Sequence, residues 1–356
     1  MQELVIDYSK CATDAPEGDN SGDFVKMPAE LVTSYFKSSN CTPTNEPVRW
    51  KRNSTTVKYG KNLDEAKKTP TTICSLQFII PDNIGPPVLF YYRLTNFYQN
   101  HRRYVKSLDT NQLQGAAVPN STIGGGSCDP LRLDSKKRPY YPCGLIANSV
   151  FNDTFTSPVK ILSSSNNETY PMTDKGIAWA SDKALYGPTK YNYADIAVPP
   201  NWVERWPSGE YTENNPPPQL QNDEHFQVWM RTAGLPAFSK LALRNDNQTM
   251  SCGMYQVDIQ MSMQPSFVLC YLLTTYRLSR YRVWRDKIHC HIYSDSNGRE
   301  EPVPRHRLRC CWWDMYCPWC PVHCGTSHKA TVRSYPELLK KITNRWSLEN
   351  LGTTPI

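Results

Sequence analysis

Apolar and polar positions alternate most cleanly in two stretches of the chain, and a third is a continuous apolar run. Cys74 to Ile80 places Leu76, Phe78 and Ile80 on one side, the pattern of a half-buried strand. Gly253 to Met261 does the same through Tyr255, Val257 and Ile259. Val88 to Leu94 is largely apolar and β-favouring, which predicts a buried strand. After it, Thr95 or Asn96 is positioned to cap a short helix. On that helix Phe97, His101, Tyr104, Val105 and Leu108 recur at helical spacing, with the cations opposite. Between these stretches lie turn clusters such as Pro81-Asp82-Asn83 and Ile84-Gly85-Pro86-Pro87. Short strands between Pro- and Gly-rich turns predict a mainly β fold: an antiparallel, sandwich-like domain with short helices and long loops. Residues 1 to 73 carry little periodicity, and Ser38 to Thr72 reads as a polar insertion or long loop.

Chemistry does not condense at any of the tempting clusters. Tyr91 to Ser107 (YYRLTNFYQNHRRYVKS) mixes aromatics with Arg93, Arg102, Arg103 and Lys106. Such interleaving can grip phosphates and stack bases. An amphipathic helix with buried aromatics and a solvated basic face explains it more simply, so no nucleic-acid partner is expected. Gly124-Gly125-Gly126 lacks the Lys-Ser/Thr pair of a phosphate loop and reads as a flexible turn. Asp223-Glu224-His225 has the residue types of acid/base catalysis. No nucleophile accompanies it, and it reads as a polar entry to a strand bearing Phe226, Val228 and Met230. No catalytic residue and no cofactor is expected.

Composition changes the picture because it is uneven. The chain has 356 residues and a formal net charge of +7. From Ser251 onward there are 14 Lys+Arg against 8 Asp+Glu, whereas the first 250 residues hold 26 against 25. Eight of the thirteen cysteines follow residue 250. Sequons occur at Asn40, Asn53, Asn120, Asn152, Asn167 and Asn247, and none follows. Residues 1 to 250 therefore read as lumenal or extracellular, and the remainder reads as a different kind of sequence.

Four stretches carry a resemblance. They are NFYQNHRRYVKS from Asn96, PCGLIANSVFNDT from Pro142, KGIAWASDK from Lys175, and DEHFQVWMRTAGLPAFSKL from Asp223. In this order they resemble the cell division control protein 50 family, also called ligand-effect modulator proteins. The likeness covers roughly residues 1 to 260. It implies a non-catalytic accessory subunit of a type-IV P-type ATPase that flips phospholipids, supporting that enzyme's folding, export from the endoplasmic reticulum and lipid transport. The expected partners are that ATPase's catalytic subunit and a phospholipid membrane of the secretory or endosomal system or the cell surface. The family-motif positions are Asn96, Phe97, Tyr98, Gln99, Asn100, His101, Arg102, Arg103, Tyr104, Gly144, Asn148, Phe151, Asn152, Asp153, Trp179, Asp182, Trp229, Arg231 and Pro236. A secreted glycan-binding or hydrolytic β-domain is the alternative from another class.

Cys128 and Cys143 bracket a short loop, and a lumenal setting favours a disulfide between them; the resemblance implies the same bond. Family position also implies Cys11 with Cys74. Cys41 and Cys252 stay unassigned. The family carries a membrane helix on each side of its ectodomain, and MQELVIDYSKC resembles the stretch after the first. The first helix is therefore expected to be missing here.

The tail from 262 to 356 offers a candidate zinc site at Cys310, Cys311, Cys317, Cys320, His323, Cys324 and His328. A shifted reading frame accounts for it better. Read one base later, codons for Leu278 to Tyr293 can give FPVTEYGGTKSIVIST. Those for Glu301 to Thr331 can give an apolar run long enough to span a bilayer. Trp312-Trp313-Asp314 then has to give Gly-Gly. The expectation is a family-like ectodomain over 1–261, an out-of-frame, largely irregular tail over 262–356 with no metal, and an incomplete sheet edge where a final strand is missing.

Overall fold

A computed structural model describes residues 2–36, 46–58, 68–163, 166–206, 208–262, 268–270, 281–283 and 287–294. These belong to a unit spanning Met1–Arg299. The strands are β1 (Gln2–Asp7), β2 (Val25–Lys26), β3 (Val32–Tyr35), β4 (Arg49–Lys58), β5 (Lys68–Ile80), β6 (Val88–Thr95), β7 (Thr154–Phe155), β8 (Val159–Ser163), β9 (Asn166–Thr169), β10 (Phe238–Asn245), β11 (Gly253–Ser262), β12 (Val268–Cys270), β13 (Tyr281–Val283) and β14 (Lys287–Ser294). One sheet runs β10-β6-β14-β1-β3. The other runs β2-β4-β5-β11-β8-β9, with β7 also on β11. β12 and β13 form a separate pair. All the pairings between these strands are antiparallel.

The expected sandwich is present, and period-two burial explains it. Along β6, Val88, Phe90, Tyr92 and Leu94 are buried while their neighbours are half-buried. On β5 and β11 the buried set is Cys74, Leu76, Phe78 and Ile80 with Tyr255, Val257 and Ile259. Both sheets contribute to one buried cluster. Phe151 and Phe155 fill the space beside β6. Phe151 stacks on Tyr92 with centroids 4.0 Å apart, and Phe155 lies 4.9 Å from Phe90.

Four local expectations are corrected. Ser38 to Thr72 is not all loop, because β4 and the first residues of β5 form a ten-residue antiparallel ladder. Its polar letters hid the strand, although Trp50 is buried within it. Gly124 and Gly125 end a short helix, Asn120–Gly125, rather than a flexible turn. Asp223 leads into a helix, Glu224–Met230, not a strand; its carboxylate accepts from the Phe226 N–H at 2.9 Å. Finally, the first sheet has no vacant slot among the described strands. β14 lies between β1 and β6, with Cys290 opposite both Ile6 and Tyr92. The zinc candidates and Cys41 lie outside the described residues.

Cys11 and Cys74 are bonded, with a sequence separation of 63, and pin a helix (Cys11–Asp14) to β5. Cys128 and Cys143 are bonded across a separation of 15. Cys252 is disulfide-bonded as well. Chain entropy gives the longer loop the larger share, about 4 kcal/mol against about 3 kcal/mol. Replacing Cys11 and Cys74 together by Ser is therefore expected to lower the denaturant midpoint more than the same change at Cys128 and Cys143. Equal midpoints for the two double variants would contradict this ordering.

Candidate interaction surface

The four sequence motifs converge, and backbone hydrogen bonds are what bring them together. At the end of β6, Asn96 takes a left-handed conformation (φ 58°), which Asn tolerates better than most residues. The Phe97 N–H then donates to the Pro236 carbonyl at 3.0 Å. This turn keeps Phe97 and Tyr98 out of any helix. The helix begins only at Arg102 and runs to Lys106, later than the capping pattern predicts. Val105 is consequently exposed, not part of the buried face.

Phe97 is a node. Its ring meets Tyr104 at 6.1 Å, Trp229 at 5.5 Å and Phe238 at 6.1 Å, each edge to face. Gln99 is fully buried. Its amide oxygen accepts from Ala233 N–H at 2.9 Å, and its amide nitrogen lies 3.4 Å from the Tyr104 hydroxyl. Asn100 donates to the Gly234 carbonyl at 3.0 Å. The first and fourth motifs are thus stitched together side by side.

The second motif supports them from below. Tyr104 and Ser149 share a hydrogen bond of 2.7 Å, and the Trp229 indole donates to the Ile146 carbonyl at 2.8 Å. Gly144 has φ +97°, and a Cβ there would overlap the Ser107 carbonyl, so glycine is required. Asn148 accepts from Asn201 N–H at 2.9 Å, and Asp153 from the Tyr8 hydroxyl at 3.2 Å. Asn152 is half-buried.

The third motif ends at the surface. Trp179 is 63% exposed, and the Arg231 guanidinium sits 3.7 Å from its ring centroid. Asp182 holds the same guanidinium at 3.1 Å. Leu235 (69% exposed) follows in the Arg231–Pro236 loop, and Tyr98 (55%) adjoins through the Asn100–Gly234 contact. Arg102, Arg103 and Lys106 are exposed, and His101 is half-buried.

Two residues of the fourth motif have roles that the sequence did not show. Glu224 is buried and takes 2.6 Å and 3.0 Å hydrogen bonds from Lys183 and Ala178 N–H. Burial opposes its charge, yet the hydrogen bonds from Lys183, Ala178 and Gly176 and the Lys183 charge hold its carboxyl below the usual range. Lys240 is 8% exposed and donates to the Val228 and Arg231 carbonyls at the end of the Glu224–Met230 helix. Burial, with a smaller push from Arg231, brings its ammonium down to about 8. Their packing marks them: Glu224 reaches Lys183, 41 residues away, and Lys240 reaches back to the end of the helix just before its own strand.

Comparison with known proteins now decides the lineage. The model of the LEM3 (ligand-effect modulator 3) family / CDC50 family matches residues 1–267. The chain belongs to this family. It is 42% identical over 265 residues to the phospholipid-transporting ATPase accessory subunit CDC50 of Chaetomium thermophilum, covering 73% of this chain and 63% of that protein. It is 40% identical over 262 residues to the accessory subunit CRF1 of Saccharomyces cerevisiae, covering 74% and 60%. It is 37% identical over 200 residues to cell cycle control protein 50A of Bos taurus, covering 52% and 54%. The chain thus spans about three fifths of its fungal relatives. Among the described residues no helix is long and apolar enough to cross a membrane.

Lys240 gives the cluster a pH signature. Its folded pKa lies below the ordinary lysine value near 10.5, so between about pH 8 and 10.5 the unfolded chain binds the extra proton. Stability from this group therefore rises with pH across that window. Tyr141 works oppositely: burial raises it to about 12, so its contribution is intact below pH 10 and lost as pH climbs through 12. Denaturant titrations of wild type and Lys240→Met at pH 7.5 and 9.5 should show the difference between them shifting in favour of wild type at the higher pH. A difference independent of pH would contradict the assignment.

Proposed function

We propose that this chain is the accessory subunit of a phospholipid-transporting P-type ATPase, with no catalytic role of its own. The family match over residues 1–267, with relatives named as such subunits, carries the reading. The geometry fits a scaffold. The motif residues are spent on backbone carbonyls, N–H groups and aromatic contacts, and what they present outward is a fixed surface. Export of the ATPase and support of its lipid transport follow in this reading, at a membrane of the secretory or endosomal system or the cell surface.

The ectodomain is proposed to be lumenal or extracellular and glycosylated. Asn120, Asn167 and Asn247 are exposed, and Asn53 and Asn152 are half-buried; Asn40 lies outside the described residues. Asn167 sits on β9, an edge strand, where a glycan would block pairing with another chain. The test is affinity purification of the full chain from its own cells. A P-type ATPase should co-purify, and the chain should lose mass on endoglycosidase treatment. A purified chain with no ATPase, turning over lipid or sugar by itself, would favour the hydrolytic alternative.

The out-of-frame tail after residue 261 is proposed on the codon reading. Codons for Lys287 to Tyr293, read one base later, can give KSIVIST, and those positions are β14. The letters as written, KIHCHIY, alternate at Ile288, Cys290 and Ile292, so strand occupancy by itself does not favour the shifted frame. Sequencing the mature transcript separates them. Continuation from Gln260 or Met261 into the shifted frame supports the proposal; retention of the present frame overturns it.

A further inference from the structure

Cys252 is disulfide-bonded, and strand register shows which cysteines lie beyond its reach. It stands just before β11, where Gly253 pairs with Ile80. Cys11 and Cys74 hold each other, as do Cys128 and Cys143. Cys290 lies opposite Tyr92, whose ring is 6.4 Å from that of Phe155, and Phe155 pairs with Ile259. Ile259 is seven residues along β11 from Cys252, about 23 Å at the rise of a strand. Cys270 is on β12, which packs beside the Leu145–Asn148 helix. That helix receives the Trp229 indole at the Ile146 carbonyl, and Trp229 meets Phe97 just beyond the Thr95 end of β6. Cys252 belongs to the other end, where Met250 pairs with Ile84, four residues before β6 begins at Val88. The cysteines from Cys310 to Cys324 fall in the tail proposed to be out of frame.

Cys41 remains, and two chain crossovers lead to one place. β3 and β10 belong to the first sheet, β4 and β11 to the second, so the chain passes between sheets after Tyr35 and again after Asn245. Both crossovers leave the first sheet at the same level: Tyr35 is opposite Glu3, Glu3 opposite Tyr293, Tyr293 opposite Leu89, and Leu89 opposite Arg244. They enter the second sheet on either side of β5, about 10 Å apart. Phe36 and Glu46 line one cavity with Ile79 and Pro81. Pro81 is two residues from Asn83, whose side-chain oxygen accepts from the Cys252 N–H at 2.8 Å. Cys41 lies five positions from both Phe36 and Glu46, a reach of at most about 18 Å. The geometry points to a further disulfide, Cys41–Cys252, that fastens the two sheet-to-sheet crossovers to each other. Forming it takes a proton and an electron from each thiol; an oxidoreductase disulfide accepts both electrons and leaves as a dithiol. The bond rests on the lumenal or extracellular reading, because an oxidising compartment is what preserves it.

Peptide mapping of the full chain tests it, after purification from its own cells with an alkylating agent and no reductant. Glycans are removed first, since Asn40 and Asn247 flank the two cysteines. Trypsin releases Cys41 between Lys37 and Arg49, and chymotrypsin cleaves at Tyr255 to part Cys252 from Cys270. The Cys41 and Cys252 peptides should appear linked, and reduction should separate them. Linkage of Cys252 to any other cysteine, or alkylation of both residues, would overturn the inference. If only these two are alkylated, the inference alone fails; if Cys11, Cys74, Cys128 and Cys143 are alkylated as well, the lumenal reading fails with it. Variants give an independent measure. Cys252→Ser should free one thiol, at Cys41, and Cys41→Ser should free one at Cys252. The two single variants and the double variant should share one lowered denaturant midpoint, because each removes the same bond. Losses that add in the double variant would contradict the pairing.

Discussion

The packing of Phe97 governs how the rest of the surface is built. Its N–H is committed to the Pro236 carbonyl and its ring to Trp229, Tyr104 and Phe238. Burying one such side chain contributes about 1.5–3 kcal/mol, and well-placed aromatic pairs add about 0.5–1.5 kcal/mol each. More important than the sum is what is joined. The end of β6, the Arg102–Lys106 helix, the Glu224–Met230 helix and the start of β10 all meet there. None can move without exposing an aromatic ring or orphaning a backbone group, and either penalty is comparable to a sizeable part of a domain's net stability.

Electrostatics carries this order outward. The Glu224–Met230 helix has Asp223 and Glu224 at its positive end and the Lys240 ammonium on its last carbonyls, the arrangement its dipole favours. Glu224 reaches Lys183 and the Ala178 N–H, so the same helix fixes the Ala178–Lys183 segment. Arg231, just past its end, then closes on Asp182 and Trp179. A buried helix thereby sets the position of an exposed tryptophan. The Cys11–Cys74 and Cys128–Cys143 disulfides act elsewhere, on α-helical and loop segments around β5 and around Cys143.

Much of the fold was legible because burial imposes period two. Cys74–Ile80 and Gly253–Met261 alternate, Val88–Leu94 is an apolar run, and all three are strands of the sandwich. The misreadings share a cause: a remote contact outweighed local preference. The helix expected at Thr95 is delayed because Pro236, about 140 residues away, captures Phe97. Glu224–Met230 reads as alternating through Phe226, Val228 and Met230, but Phe226, Trp229 and Met230 are the buried apolar residues and the period is helical. β4 was hidden because its ladder to β5 rests on backbone bonds and one buried Trp50. The motif residues were legible as a set through family resemblance. That Tyr98, Trp179 and Arg231 face outward while Gln99 and Trp229 are buried is a property of the assembled fold.

Hydrogen exchange in a Gln99→Ala variant tests the coupling most directly. Gln99 is sealed in the interior, where its amide joins the Ala233 N–H to the Tyr104 hydroxyl. If the motifs form one mechanical unit, its loss should raise exchange together in residues 97–106, 229–236 and 178–183, with β5 and β11 unchanged. Faster exchange confined to 97–106 would contradict the account.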